Sequence, residues 1–218
     1  MAGAQTVSEV MNDHYRLSTS RFGGHATVAR HVNEGKGTVL DVGCNKGYLA
    51  TLYSRSLTVF GVEGNAQAAE IARGQLTTVV VHDLNNLTVD PFPLRRFDQI
   101  VFADVLEHLI DPLAILTWYV NHKLETGGRV VISLPNIANW QIRLRLLFGQ
   151  FEYEDSGILD RTHLHFYTYE SAKRLVADAL LQLDEVDAGA SVFGPIIRWA
   201  PFLRGILATN VVLVAHSR

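Results

Sequence analysis

The sequence has one cysteine, Cys44, in 218 residues, so no disulfide can form within the chain and a reducing compartment is expected. It also lacks a charge excess: 19 lysines and arginines stand against 22 acids, a formal net charge of −3. That balance gives no electrostatic handle for nucleic acid, and no appended basic domain is visible, so nucleic acid is not expected as a partner. No apolar run approaches the ~18 residues that span a bilayer. The opening stretch, MAGAQTVSEVMNDHYRLSTS, has no apolar centre of the kind a secretory signal needs. Cytoplasmic residence is the resulting expectation. Repeats and low-complexity tracts are missing too, which leaves an ordinary globular composition, 48% hydrophobic and 19% charged, of a length that suits one α/β domain.

What is present is a regular alternation. TVLDV (38–42) reads as a strand, followed by a helix over about Gly47–Ser54. LTVFGVE (57–63) is a second strand and NAQAAEIARGQ the next helix, with Asn65 placed to cap it. TVVVHDL (78–84) and FDQIVFADV (97–105) are the third and fourth strands. DPLAILTWYVNHKL follows as a helix with Asp111 as cap and Pro112 at its first position. GGRVVISLPN (127–136) is a fifth strand. These strands are near-continuous apolar runs, as burial on both faces of a parallel sheet requires. Strand and helix in alternation give right-handed crossovers and a doubly wound α/β sheet. Ligands of such sheets bind beyond the carboxyl ends of the strands near the switch in strand order. That rule puts the loop after Val42, Glu63, the His82–Asp83 pair and Asp104 on one rim. Asp98 opens the fourth strand at the opposite end and is read as structural.

After Asn136 the pattern changes. NWQIRLRLLFGQ (139–150) is an amphipathic helix ended by Gly149, FEYEDSGILDRTHLHFYT (151–168) a loop, and Thr168 caps the helix YESAKRLVADALLQ. A last strand, TNVVLVAHS (209–217), follows the apolar stretch PIIRWAPFLRGILA.

Residues 39–50, VLDVGCNKGYLA, deliver an aspartate and two glycines to the rim. A pyrophosphate is a poor match, because the GxGxxG register is missing and Asp41 stands where phosphates would approach. A carboxylate suits a cationic or hydroxyl-rich ligand instead. Glu63, at the end of the second strand, is spaced to take both hydroxyls of a ribose. Asp83 can accept from an exocyclic amine and Leu84 can touch a ring. Together they describe a phosphate-free nucleoside with an amino-acid tail, which S-adenosylmethionine fits. Plainer roles exist for each acid: Asp41 and Glu63 as helix caps, Asp83 as a turn residue in DLNN.

VLDVGCNKGYLA, GVEGNAQAAEIAR, VHDL, FDQIVFADVLEHL and GGRVVISLPN, in this order over residues 38–136, resemble the successive motifs of class I S-adenosylmethionine-dependent methyltransferases. The resemblance implies a doubly wound, mostly parallel seven-stranded sheet with an antiparallel C-terminal strand and a helical lid insertion. By it, Asp41, Gly43 and Gly47 line the methionine side of S-adenosyl-L-methionine, Glu63 takes the ribose, and Asp83 and Leu84 the adenine. Asp104 lies beside the sulfonium. Asn45 departs from the pattern, standing where the family often has glycine. The implied organisation is a single methyltransferase domain: an N-terminal helical lid segment (1–37), the cofactor core (38–136), an acceptor-site lid and loop (137–170), and a C-terminal helix and strands (171–218).

The second half, SLPN…RLRLLFGQFEY…GILDRTHLHFYT, resembles a subgroup associated with O-methylation of surface glycans, sugars and other small molecules, with matches at Leu159, Asp160, Thr162 and His163. His165 stands where similar sequences commonly carry arginine. Histidine titrates near neutrality and suits removal of a hydroxyl proton, so His163 is the expected catalytic base, oriented by Asp160 or Asp155. The alternative is that His163 bonds the backbone of its own loop and closes the pocket. Asp104, Glu107 and His108 resemble the acid-x-x-Glu-His cluster with which ubiquinone-pathway and small-RNA methyltransferases hold a divalent metal. The same triplet occurs in metal-free relatives, and no metal ligand is assigned. Trp140–Phe148, with Arg143 and Arg145, and the loop to Tyr153 form the expected lid; its arginines either meet an acidic group on the acceptor or lie in solvent. The PIIRWAPFLRGILA stretch either packs under the final strand or rests peripherally on a membrane. The expected partner is a small-molecule or glycan acceptor. N- or C-methylation of another metabolite and a non-catalytic accessory role are the alternatives.

Overall fold

A computed structural model describes residues 22–190 and 193–217. The first 21 residues, and with them much of the expected N-terminal lid segment, lie outside the described part. The strands are β1 (Thr38–Val42), β2 (Thr58–Glu63), β3 (Thr78–Val81), β4 (Phe97–Ala103), β5 (Leu124–Pro135), β6 (Gln182–Gly189) and β7 (Asn210–His216). They form one sheet in the order β3-β2-β1-β4-β5-β7-β6. β1 pairs in parallel with β2 and β4, and β4 with β5, whereas β7 runs antiparallel to both β5 and β6. The order reverses between β1 and β4, which is where a ligand crevice is expected in such a sheet.

Alternate side chains of the central strands feed two cores. Leu40, Val42, Ile100, Phe102, Val130 and Ile132 pack on one face, against Ile115, Leu116 and Tyr119 of α3 (Pro112–Lys123) and Val176 of α5 (Tyr169–Asp178). Val39, Val101, Val131 and Val212 pack on the other, against Val28 and Val32 of α1 (Gly24–Glu34) and Ala69 and Ala72 of α2 (Ala66–Ala72). Each large side chain fully buried this way contributes roughly 1.5–3 kcal/mol. The expected caps form: Asn65 accepts from the Gln67 and Ala68 amides, Asp111 from Ala114, and Thr168 makes a capping box with Ser171. Asp98 Oδ2 accepts from the Thr38 amide and hydroxyl, tying the starts of β1 and β4 together as the structural reading expects.

Several expectations are corrected. The helix expected after Gly47 is a single 3-10 turn, Leu49–Leu52. β3 ends at Val81, so His82, Asp83 and Leu84 belong to the loop beyond it. β5 starts earlier, at Leu124, and the lid helix α4 is shorter, Trp140–Leu147, with Asn139 accepting from the Gln141 amide as its cap. β6 supplies the seventh strand that the resemblance implies but that no run in the sequence marks out. It is an edge strand whose sequence QLDEVDAG is half polar, a pattern that suits one-sided burial and not the continuous apolar runs of the centre. The PIIRWAPFLRGILA stretch folds as α6 (Gly194–Trp199), a 3-10 turn (Pro201–Leu203) and α7 (Arg204–Leu207).

Candidate active site

β1 carries Asp41 to the crevice, and the chain then turns back on itself. Gly43 and Cys44 both donate their amides to Val62 O, at 2.8 and 3.0 Å. Gly43 has φ +74°, and a Cβ there would stand 2.6 Å from Val105 Cγ2, so the turn can take no larger residue without moving its neighbour. Asn45, the departure from the expected glycine, has φ +48°, the left-handed region that asparagine tolerates best among residues with side chains. Its amide donates to Glu63 Oε2 at 2.8 Å while the Asn65 amide donates to Oε1 at 2.7 Å. Glu63 is thus clasped from both sides at the end of β2.

Asp41 is 2% exposed and its Oδ2 has no hydrogen-bond partner among the described residues. Burial, and secondarily the nearby Glu63, raises its carboxyl to about 7. A buried carboxylate without donors is costly, so this arrangement suits a ligand that brings a cation. A small cavity runs past Asp41, Gly43, Cys44, Tyr48 and Ala103 to His25 in the first turn of α1. Three other predicted donor-site residues sit differently. A Cβ on Gly47 would press on Leu76 and Ala72, so that glycine packs the loop against the end of α2. Asp83 is exposed and accepts from the Asn85 amide at 3.0 Å, and Leu84 is buried in the core.

Asp104 follows β4 with φ +54°, a strained backbone for a non-glycine residue. Ser133 Oγ and Asn210 Nδ2 donate to its Oδ1 at 2.7 and 2.8 Å, and His25 Nε2 lies 3.7 Å from its Oδ2. Ser133, Asn210 and His25 come from β5, β7 and α1, and no local pattern announces them.

On the other side of Asp104 lies a cavity of about 770 Å³, bounded by the sheet edge, the lid helix α4 and the 154–163 loop. Glu107, His108 and His163 meet there, each with a ligand-capable atom within 4.8 Å of the others. His163 lies 55 residues from His108 in the chain, yet their rings stand 4.7 Å apart edge to face. His163 Nδ1 lies 3.1 Å from Ile158 O, and His108 Nδ1 3.3 Å from Thr162 O. A carbonyl only accepts, so both rings carry their proton on Nδ1 and present an unprotonated Nε2. Burial depresses His163, and burial together with neighbouring His163 lowers His108 to about 4, so both are neutral at physiological pH. Glu107 is 1% exposed, and neither of its oxygens has a hydrogen-bond partner among the described residues. Burial, then Asp104, pushes it well above the usual carboxylate range.

The acids expected to orient His163 do other work. Asp160 accepts from the Thr162 amide and hydroxyl at 2.8 and 2.7 Å, and Asp155 pairs with Arg161. The Ile158 carbonyl orients the ring instead. The lid arginines are also engaged: Arg145 pairs with Glu154 at 2.6 Å and Arg143 Nε donates to Ala138 O at 2.6 Å.

A doubly wound sheet closed by an antiparallel seventh strand, with an acid-lined crevice free of a phosphate-binding glycine register, defines the class I methyltransferase fold. The methyltransferase-domain family matches residues 14–186, and the chain belongs to it. The ubiquinone biosynthesis O-methyltransferase of Rhodopseudomonas palustris is 28% identical over 186 residues, covering 82% of this chain and 70% of that protein. Its namesake from Dinoroseobacter shibae is 28% identical over 72% of this chain, which spans only 64% of that relative's length. Two solved structures share the fold. The N-methyltransferase NodS of Bradyrhizobium japonicum, in complex with S-adenosylhomocysteine, has a TM-score of 0.64 at 16% identity, over 96% of this chain and 94% of its own. The magnesium protoporphyrin IX methyltransferase of Synechocystis, with bound S-adenosylhomocysteine, has 0.63 at 15% identity, over 96% and 92%. No helix among the described residues is long and apolar enough to cross a membrane.

Proposed function

We propose that the chain transfers the methyl group of S-adenosylmethionine to a hydroxyl of a small molecule held in the 770 Å³ cavity, the acceptor being a sugar, a glycan or a phenol. The observation that carries this reading is the pairing of that cavity with His163, whose tautomer is fixed by Ile158 O so that Nε2 offers a lone pair. Displacement at a sulfonium methyl needs alignment above all, worth on the order of 7–11 kcal/mol for well-positioned reactants. A hydroxyl acceptor also gains from a base, by about 10²–10⁴-fold. His163 takes the proton of the acceptor hydroxyl. Asp41 and Glu63 hold the donor, and Asp104, braced by Ser133 and Asn210, fixes the passage between the two cavities. The similarity to proteins named ubiquinone biosynthesis O-methyltransferase supports oxygen as the acceptor atom.

A second reading is favoured by one observation, the partnerless carboxylate of Glu107. A divalent cation is a partner of the right sign, and two neutral imidazoles with Glu107 are a suitable donor set. On this reading Glu107, His108 and His163 would hold the metal, which would supply Lewis acidity toward an acceptor hydroxyl. The deciding experiment incubates purified protein with S-adenosylmethionine and a panel of sugars, nucleotide sugars and catechols. A mass gain of one methyl on oxygen supports the proposal, and transfer confined to amines or carbon would overturn it.

A further inference from the structure

Among the described residues, several large apolar side chains are mostly exposed. Leu94 and Leu180 are isolated on tight turns with φ +60°. Ile110 and Leu164, 72% and 58% exposed, lie elsewhere, whereas four side chains cluster on two elements: Leu147 and Phe148, 78% and 71% exposed at the end of the lid helix, and Trp199 and Phe202, 93% and 83% exposed between α6 and α7. These elements are locked together. Asn136 Nδ2 donates to Ala208 O at 3.0 Å, Asn139 Nδ2 to the same oxygen at 2.9 Å, and the Trp140 and Phe193 rings meet edge to face at 6.0 Å. A shallow groove between them is lined by Arg143, Glu170, Phe202, Arg204 and Ile206.

Charge singles out this face. The chain carries a net −3, yet residues 137–151 and 188–217 contain no acid and four arginines: Arg143, Arg145, Arg198 and Arg204. Protruding aromatic and leucyl side chains of unequal height, carried by two segments that contribute arginines and no acid, fit a surface that is soft, apolar below and anionic above. A protein partner needs matching relief, whereas a bilayer does not.

We propose that this face docks peripherally on an anionic lipid bilayer, with Trp199, Phe202, Leu147 and Phe148 entering the headgroup–acyl boundary and Arg143 and Arg204, beside the groove, meeting lipid phosphates. Trp199 is well chosen for that depth, since an indole favours the interface over either phase beside it. Leu144 and Arg145 of the same lid helix line the acceptor cavity, so docking brings the roof of that cavity to the lipid surface. The inference goes beyond methyl transfer and stands whichever acceptor is used.

The test is flotation of the full chain with vesicles of phosphatidylcholine alone or mixed with phosphatidylglycerol. Flotation with the anionic vesicles, weakened by added salt, is expected. Replacing Trp199→Ala and Phe202→Ala together should lower the bound fraction about tenfold or more. Both side chains are solvent-exposed, so the double variant keeps its circular dichroism spectrum. Trp199→Phe should still float, but the blue shift of tryptophan emission on binding should shrink. Failure of the wild type to float with anionic vesicles overturns the proposal, as does equal flotation of the double variant. A wild-type dimer that the double variant converts to monomer would assign the face to a second copy of the chain and overturn it too.

Discussion

The Asn210 side-chain amide donates to Asp104 Oδ1 at 2.8 Å, so the last strand of the sheet aims the carboxylate that ends the fourth. The bond spans 106 residues and ties the 770 Å³ cavity to the pairing of β7 with its neighbours. Asn210→Ala should lower kcat about tenfold while costing only ~1 kcal/mol of stability, the ordinary worth of one hydrogen bond. Asn210→Asp keeps the shape but sets a second acid against Asp104, and should lose more activity than alanine does. Steady-state kinetics beside thermal melts of both variants check this; equal activity in the two would remove the electrostatic part of the argument.

His163→Ala should reduce turnover by about a hundredfold or more and leave donor affinity unchanged, because the imidazole stands on the acceptor side of Asp104. Calorimetry with S-adenosylmethionine and turnover on any accepted hydroxyl compound measure the two quantities. A loss of about tenfold or less would return His163 to closing the loop through Ile158.

The orphaned oxygens of Glu107 lead to a separate expectation. Titrating zinc or manganese alone into the chelator-treated protein should show binding that Glu107→Gln weakens sharply, while the circular dichroism spectrum of the variant stays that of wild type. On the metal reading, turnover should also fall after exhaustive EDTA treatment and recover with a divalent ion. Full activity after EDTA would instead leave His163 as a base acting without a metal.

If Asp41, raised by burial and then by Glu63 to about 7, holds the donor as proposed, donor binding and stability depend on pH in opposite directions. The folded state holds this proton where the unfolded chain has lost it. Stability of the donor-free protein therefore falls as pH rises from the ordinary carboxylate range through about 7. A cationic donor prefers the ionised form, so affinity for S-adenosylmethionine should rise between about pH 6 and about pH 8, with uptake accompanied by proton release. Calorimetry in buffers of differing ionisation enthalpy measures that release, and Asp41→Asn should abolish it.

The sheet was legible in the sequence where its strands are buried on both faces, since runs such as TVLDV and FDQIVFA admit no other reading. β6 was not, because an edge strand with Asp184, Glu185 and Asp187 looks like a loop until β7 lies beside it. The rim acids were legible through the rule that parallel strands point their carboxyl ends at the ligand, although the structure turns Asp83 outward onto its own loop. The meeting of His163 with Glu107 and His108 was not legible. It is made by the 154–163 loop folding back, where Leu164 and His165 donate their amides to Glu107 O at 2.8 and 3.1 Å. Nothing in the spacing of those residues records that pairing.

The placement of β7 between β5 and β6 orders events during synthesis. β6 leaves the ribosome with no neighbour to accept its edge, and its only strand partner, residues 210–216, comes later. Nascent chains halted short of that point would hold a complete donor crevice beside an unfinished acceptor wall, with Asp104 lacking its distant brace. Completion of that wall thus waits on residues 210–216, a segment that carries none of the recognisable motifs.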